Sequence, residues 1–156
     1  EAVSKHHWVI YRYAETLLTY AESMVNAFND VNYTDETYKY SALWAINEVR
    51  KNADTPLIPS MGKDEFMERL YNEWRVEFAF EDHRFWDIRR WLIADDEGVM
   101  KGAMYGLQLS AVTGAPGKVH YKPYVFENRL WSDRSYLHPI KQTEIDKGYM
   151  LQNPGW

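Results

Sequence analysis

Between Trp8 and Phe28 the apolar residues Ile10, Ala14, Leu17, Ala21, Met24 and Phe28 recur at alternating steps of four and three. A helix with 3.6 residues per turn brings such positions onto one face, so the segment is committed to an amphipathic helix whose apolar stripe must be covered. The same spacing returns three times. Tyr38, Ala42, Ala45, Ile46 and Val49 form a second face, with Thr34 or Asp35 available as its N-terminal cap. Phe66, Met67, Leu70, Trp74 and Phe78 form a third, and Phe85, Ile88 and Leu92 a short fourth. The expected helices therefore lie near 8–29, 35–53, 63–80 and 83–93. The second ends before Thr55-Pro56-Leu57-Ile58-Pro59, where each proline holds its predecessor extended.

After the acidic run Asp95-Asp96-Glu97 the pattern changes. Five of the eight glycines, Gly98, Gly102, Gly106, Gly114 and Gly117, fall in the next twenty residues together with Pro116, and Pro123 follows. No helical period survives there, and a long irregular stretch is expected, of the kind that in compact domains carries function. Tyr136-Leu137-His138-Pro139-Ile140 reads as extended, and Gln142 to Asp146 as one helical turn. The fold expected from the residues is mainly α. Helices occupy about 8–95, an irregular aromatic-rich region about 96–156, and the whole of 1–156 forms one domain. Ala14-x-x-Leu17-Leu18-x-x-Ala21, then Ala42-x-x-x-Ile46 and Pro56, also follows the small and large packing positions of a tetratricopeptide repeat pair.

Composition narrows the function. With 46% hydrophobic and 26% charged residues the chain has a globular balance, and a net charge of -5 offers phosphate backbones no general attraction. Nucleic acid is excluded as an expected partner. Zero cysteines remove disulfides, thiolate metal sites and a Cys nucleophile, and no apolar run reaches the roughly 20 residues of a membrane-spanning helix. No Gly-x-Ser-x-Gly elbow and no phosphate-binding glycine loop occurs.

Three constellations remain. Glu73 and Glu77 share a helix face, as a glycosidase pair would require, but Arg69, Arg75, Arg84, Arg89 and Arg90 stand near enough in sequence to neutralise them. His83 and Asp87 are four apart without a third metal ligand, His6-His7 and His120 stand outside any ligand motif, and His138 precedes Pro139 as a packing residue. No catalytic residue, metal or cofactor is expected. From Glu73 to Trp91, finally, large rings alternate with guanidinium and carboxylate groups, which reads as a rigid corner built on Glu77, Arg84, Asp87 and Arg89. In this reading Glu77 and Arg84 are at least partly buried and paired.

Glu77-Phe78-Ala79-Phe80-Glu81-Asp82-His83-Arg84-Phe85-Trp86-Asp87-Ile88-Arg89-Arg90-Trp91, then Tyr136 to Ile140, then Gln152-Asn153-Pro154-Gly155-Trp156, resembles the SusD/RagB family of nutrient-binding outer-membrane lipoproteins. Tyr13 to Glu22 and Ala45 to Arg50 fit its pattern too. Trp74, Phe78, Asp82 and Lys141 depart from the family's usual Arg, Leu, Gly and Pro, and Asp82 bears on a left-handed turn that glycine would take.

The resemblance implies a scaffold of tetratricopeptide-like helix pairs at the cell surface, lipid-anchored in the outer membrane through an N-terminal part not present here. It also implies oligosaccharide or other nutrient ligands, a TonB-dependent SusC-like transporter as partner, and no enzymatic activity. By that reading the chain is the C-terminal portion of a longer receptor, and since only one repeat pair is recognisable, helix one is expected to expose an apolar side to the missing part. Ligand contacts of this chain are expected from the irregular half, at Tyr105, Tyr121, Tyr124 and Trp131, because these rings lie among glycines and prolines and binding residues concentrate on loops. The competing reading is a structural, partner-docking helical-repeat segment without ligand contacts of its own. A glycoside hydrolase is the third.

Overall fold

The computed structural model describes residues 9–114 and 117–156. Trp8, where the first helix was expected to start, His6-His7 and Pro116 lie outside the described residues. The chain divides into two compact units, Glu1–Arg84 and Phe85–Trp156.

The first unit is helical. α1 (Tyr13–Phe28), α2 (Ala42–Asn52) and α3 (Lys63–Glu77) surround a core of Leu17, Leu18, Ala21, Met24 and Val25 from α1, Ala42, Ala45, Ile46 and Val49 from α2, and Phe66, Leu70 and Trp74 from α3. Each set repeats at three or four residues, so one stripe per helix supplies the interior. The apolar side of α1 at Leu17 and Met24 is buried within the unit, whereas Ile10 precedes the helix and is exposed.

Local chemistry fixes the ends. Asn29 closes α1 in the left-handed region at φ 56°, and its N–H donates to the Val25 carbonyl at 2.9 Å. α2 starts seven residues later than the pattern predicts. Asp35 spends its carboxylate on the N–H groups of Thr37 and Tyr38, at 2.8 and 2.6 Å, which makes a turn, and Ser41 caps α2 by accepting from Trp44 N–H at 3.1 Å. The extended connector is pinned by the Asn47 side-chain amide, which donates to the Ile58 carbonyl at 3.0 Å and accepts from its N–H at 2.9 Å.

α4 (His83–Arg90) straddles the division between the units. In the second unit, β1 (Gly102–Ala111) and β2 (Val119–Arg129) form a two-stranded antiparallel hairpin, followed by a 3-10 turn at Asp133–Tyr136 and the single turn α5 (Gln142–Ile145). The expectation of a mainly α fold with tetratricopeptide-like pairs and an irregular C-terminal region is therefore corrected: the chain is mixed α/β, with 40% helix and 16% strand. The physical reason is an alternation of period two. Tyr105, Leu107, Leu109 and Ala111 pair with Val125, Pro123, Tyr121 and Val119, so these residues of the two strands share one side. Pro123 argues against a central strand but is compatible with an edge, where its missing N–H points away from the ladder. Of the apolar residues expected on the fourth helix, Ile88 is buried, while Phe85 and Leu92 are exposed.

Candidate functional site

The corner begins where α3 ends. Phe80 and Asp82 both adopt left-handed backbone, φ 66° and 65°, in the turn that separates α3 from α4. Asp82 thus takes the turn a glycine would take, in a conformation that aspartate tolerates better than most residues.

The carboxylates of the α3 pair meet arginines distant in sequence. Glu73, buried, meets Arg50 of α2 at 2.5 Å, and the same guanidinium donates through Nε to the Pro56 carbonyl at 2.7 Å. Glu77 meets Arg12 at 2.6 Å. Arg12 also donates to the Glu77 carbonyl at 2.8 Å and bonds Glu81 at 3.0 and 2.9 Å, with its guanidinium 4.4 Å from the Phe78 ring centre. Burial would lower the Arg12 pKa, but the hydrogen bonds to Glu77 and Glu81 outweigh it and the value is raised. Arg12 and Arg50 are the contributors that sequence reading missed, because their partners lie 65 and 23 residues away. His83 packs against Phe78 at 4.3 Å between ring centres and stands 3.9 Å from Glu15. A cleft of about 320 Å³ opens here between Val9, Ile10, Arg12, Phe78, Phe80 and His83.

In the second unit Asp87 is buried and binds Arg90 at 2.9 Å. Arg89 donates to the carbonyls of Phe85 and Ser135 at 2.6 and 3.2 Å, with its guanidinium 3.6 Å over the Phe85 ring and 5.3 Å from Trp131. Burial lowers the Arg89 pKa. Arg84 is half-buried. Among the described residues no group of three or more His, Asp or Glu is placed to hold a metal ion.

The two C-terminal motifs are one structure. The Gln152 amide accepts from Ile140 N–H and donates to its carbonyl, both at 2.8 Å, and Asn153 donates to the His138 carbonyl at 2.6 Å. Trp156 Nε1 donates to the carbonyls of Arg134 and Leu137 at 2.9 and 3.0 Å, while Arg134 lies 4.6 Å from its ring centre. Gly155, φ 85°, lets this tail close: a Cβ there would sit 2.8 Å from that of Arg134. These residues order backbone and bring no reactive group together.

The four expected ligand rings are dispersed. Tyr105 and Tyr121 share one face of the hairpin, 68% and 64% exposed. They are offset by four residues, about 13 Å along the ribbon. Tyr124 is on the opposite face, its ring against Gly106, where a Cβ would stand 3.1 Å from it. Trp131 belongs to the Arg89 cluster, edge-on to Tyr136 at 5.0 Å, with its Nε1 buried and unpartnered. What the arrangement offers chemically is stacking surface, not a set of converging acid, base or nucleophile groups.

A model of the SusD family matches residues 1–156. A crystal structure of a SusD-like protein from Bacteroides fragilis NCTC 9343 superposes with a TM-score of 0.75 at 29% identity, over 96% of this chain and 26% of that one. The chain therefore spans about a quarter of the length of that relative. Comparison with curated proteins gives no match. A match across the whole sequence places this chain in the SusD family.

Proposed function

We propose that this chain forms one C-terminal domain of a cell-surface protein that binds glycans or related nutrients and passes them to a TonB-dependent outer-membrane transporter. The observation that carries the reading is the SusD-family match over residues 1–156. The protein would be lipid-anchored at the outer membrane, and its role would be binding without catalysis. In support of the latter, Glu73 and Glu77 are each held by an arginine, which leaves neither free as an acid or base.

Ligand contact is assigned to Tyr105, Tyr121, Tyr124 and Trp131. Pyranose faces carry apolar C–H groups that stack on rings, and Tyr105 and Tyr121 present two exposed rings on one face. Single alanine replacements at the four positions, titrated with a panel of oligosaccharides by calorimetry, test this. Each contacting ring should contribute at most about 1–3 kcal/mol, the scale of ring stacking on nucleic-acid bases. If none of the four weakens binding while unfolding temperatures fall, the rings are structural and recognition lies elsewhere in the receptor.

A second reading is favoured by a specific observation. The face holding Tyr105 and Tyr121 is otherwise Leu107, Leu109, Ala111, Val119, Pro123 and Val125, with few polar groups for sugar hydroxyls. A partner-docking role without ligand contacts predicts that the panel fails to bind through any of the four rings.

A further inference from the structure

Trp156 closes on a turn that serves a different group of residues. Its Nε1–H is shared between the carbonyls of Arg134 and Leu137, at 2.9 and 3.0 Å. Those two residues bracket Ser135 and Tyr136, and both bracketed residues reach the Arg89 cluster. The Ser135 carbonyl accepts from Arg89 Nε at 3.2 Å. The Tyr136 ring stands edge-on to Trp131 at 5.0 Å, and its hydroxyl accepts from Asp95 N–H at 3.1 Å while donating to the Asp95 carboxylate.

The turn's own bonds are uneven. Ser135 N–H reaches the Ser132 carbonyl at 2.8 Å, but Leu137 N–H reaches that of Arg134 only at 3.3 Å, beyond the usual range for an amide bond. A 3-10 turn has poorer hydrogen-bond geometry than an α-helix, and this one receives at Arg134 a shorter bond from Trp156 than from its own backbone. The rest of the tail extends the hold. Gln152 and Asn153 bind the backbone of Ile140 and His138, and the His138 ring lies 5.9 and 5.8 Å from those of Phe85 and Trp86. The strip 134–140 is thus tied to the tail through its backbone, while Ser135, Tyr136 and His138 reach α4, Asp95 and Trp131.

We propose that Gln152–Trp156 is a strap that positions the Arg89–Trp131 cluster, with Trp156 as the positioning residue: its indole N–H holds the turn whose Ser135 and Tyr136 meet the Arg89 guanidinium and the Trp131 ring. Trp156 touches neither group itself in this arrangement and acts through two hydrogen-bonded carbonyls. The inference deepens the assignment of Trp131 to ligand contact and rests on that reading for its bearing on binding.

Hydrogen exchange followed by NMR tests the positioning without any ligand. Two protons report on the cluster: the Asp95 amide, which the Tyr136 hydroxyl accepts, and the Trp131 indole N–H, which is buried. The Val112 amide, bonded to the Lys118 carbonyl at 3.1 Å, is the reference in the same unit. Trp156→Phe keeps a ring over Arg134 and removes the donor. It should speed exchange at Asp95 and Trp131 by about tenfold, the factor that loss of one ordinary hydrogen bond gives, and leave Val112 unchanged. Unchanged exchange at the two reporters overturns the proposal, as does an equal rise at Val112, which would make Trp156 a general stabiliser. If Trp156→Phe does not fold, Gly155→Ala decides by the same readout, because its φ of 85° and a Cβ 2.8 Å from that of Arg134 loosen the strap while keeping the donor. In a titration with the oligosaccharide panel, Trp156→Phe should weaken binding by less than Trp131→Ala does. Should Trp131→Ala leave binding intact while the two reporters move, the ligand assignment of Trp131 fails and the positioning stands.

Discussion

The helical unit and the hairpin draw on the same kinds of apolar residue and treat them differently. Of the buried apolar side chains, all but Ile88 and Ala94 precede residue 85, and among the described residues none beyond Ala94 is buried. In the helical unit the stripe of α1 meets those of α2 and α3, so the three helices close over a shared interior. In β1 and β2 the alternation gathers Tyr105, Leu107, Leu109, Val119, Tyr121 and Val125 on one face, and in this chain those side chains stay exposed. An amphipathic pattern sets which face is apolar; only the number of packing elements sets whether that face becomes core.

The sharpest way to break this comparison is to remove a side chain of similar character from each region. Phe66→Ala, at a fully buried position, should cost about 3–5 kcal/mol in denaturant unfolding. Leu130→Ala, at a position 95% exposed, should stay within about 0.5 kcal/mol. Similar losses at the two sites would mean that the second unit has a core of its own.

Next in size is the ion pair between α2 and α3. Glu73→Gln strands Arg50, and since Arg50 retains some solvent contact the loss should fall toward the lower end of the range for broken buried pairs, at about 2–3 kcal/mol. Glu77→Gln, whose partner Arg12 is more exposed, should lower the melting temperature less and leave ligand affinity unchanged. A Glu73 variant with native stability would show that packing of α2 and α3 against α1 suffices without the pair.

At the corner between α3 and α4, Asp82→Gly relieves a left-handed residue and should raise stability by up to about 1 kcal/mol. A loss would show that the aspartate side chain itself holds the turn.

The smallest effect is a pH dependence confined to the second unit. The Tyr136 hydroxyl donates to Asp95 and holds that carboxyl below its ordinary 3.8, while burial and then Asp95 raise Tyr136 above 10.0. The sign follows for each. The Asp95 contribution is present above pH 3.8 and is lost as pH falls through its depressed folded value. The Tyr136 contribution is present below pH 10.0 and is lost as pH rises through its elevated folded value. Protection of the Asp95 amide, followed by hydrogen exchange, should therefore fall off at both extremes, and Tyr136→Phe should flatten both limbs. Unchanged limbs in that variant would remove the pair as their cause.

Much of this was legible before any coordinates. Local chemistry and periodicity placed α3, α4, the proline-bounded connector and the turn at Gln142, because those depend on residues a few positions apart. The motif blocks led to the SusD family for the same reason: they are contiguous strings. The hairpin was missed although its signal is present. Glycines and Pro123 weakened the strand pattern, and Pro123 is acceptable only because it lies on an edge, a property of strand order that no single strand displays.

What the tertiary structure alone decided is which distant residues meet. Arg12 reaches Glu77, Arg50 reaches Glu73, and Gln152 clasps Ile140. Tyr105 and Tyr121 come to one face while Tyr124 goes to the other and Trp131 joins Arg89. The sequence by itself determined the amphipathic faces, the breaks and the family. Backbone preferences and side-chain periods act over one or two turns, whereas an ion pair or a strand register is selected by the folded chain as a whole, from many partners of equal local merit.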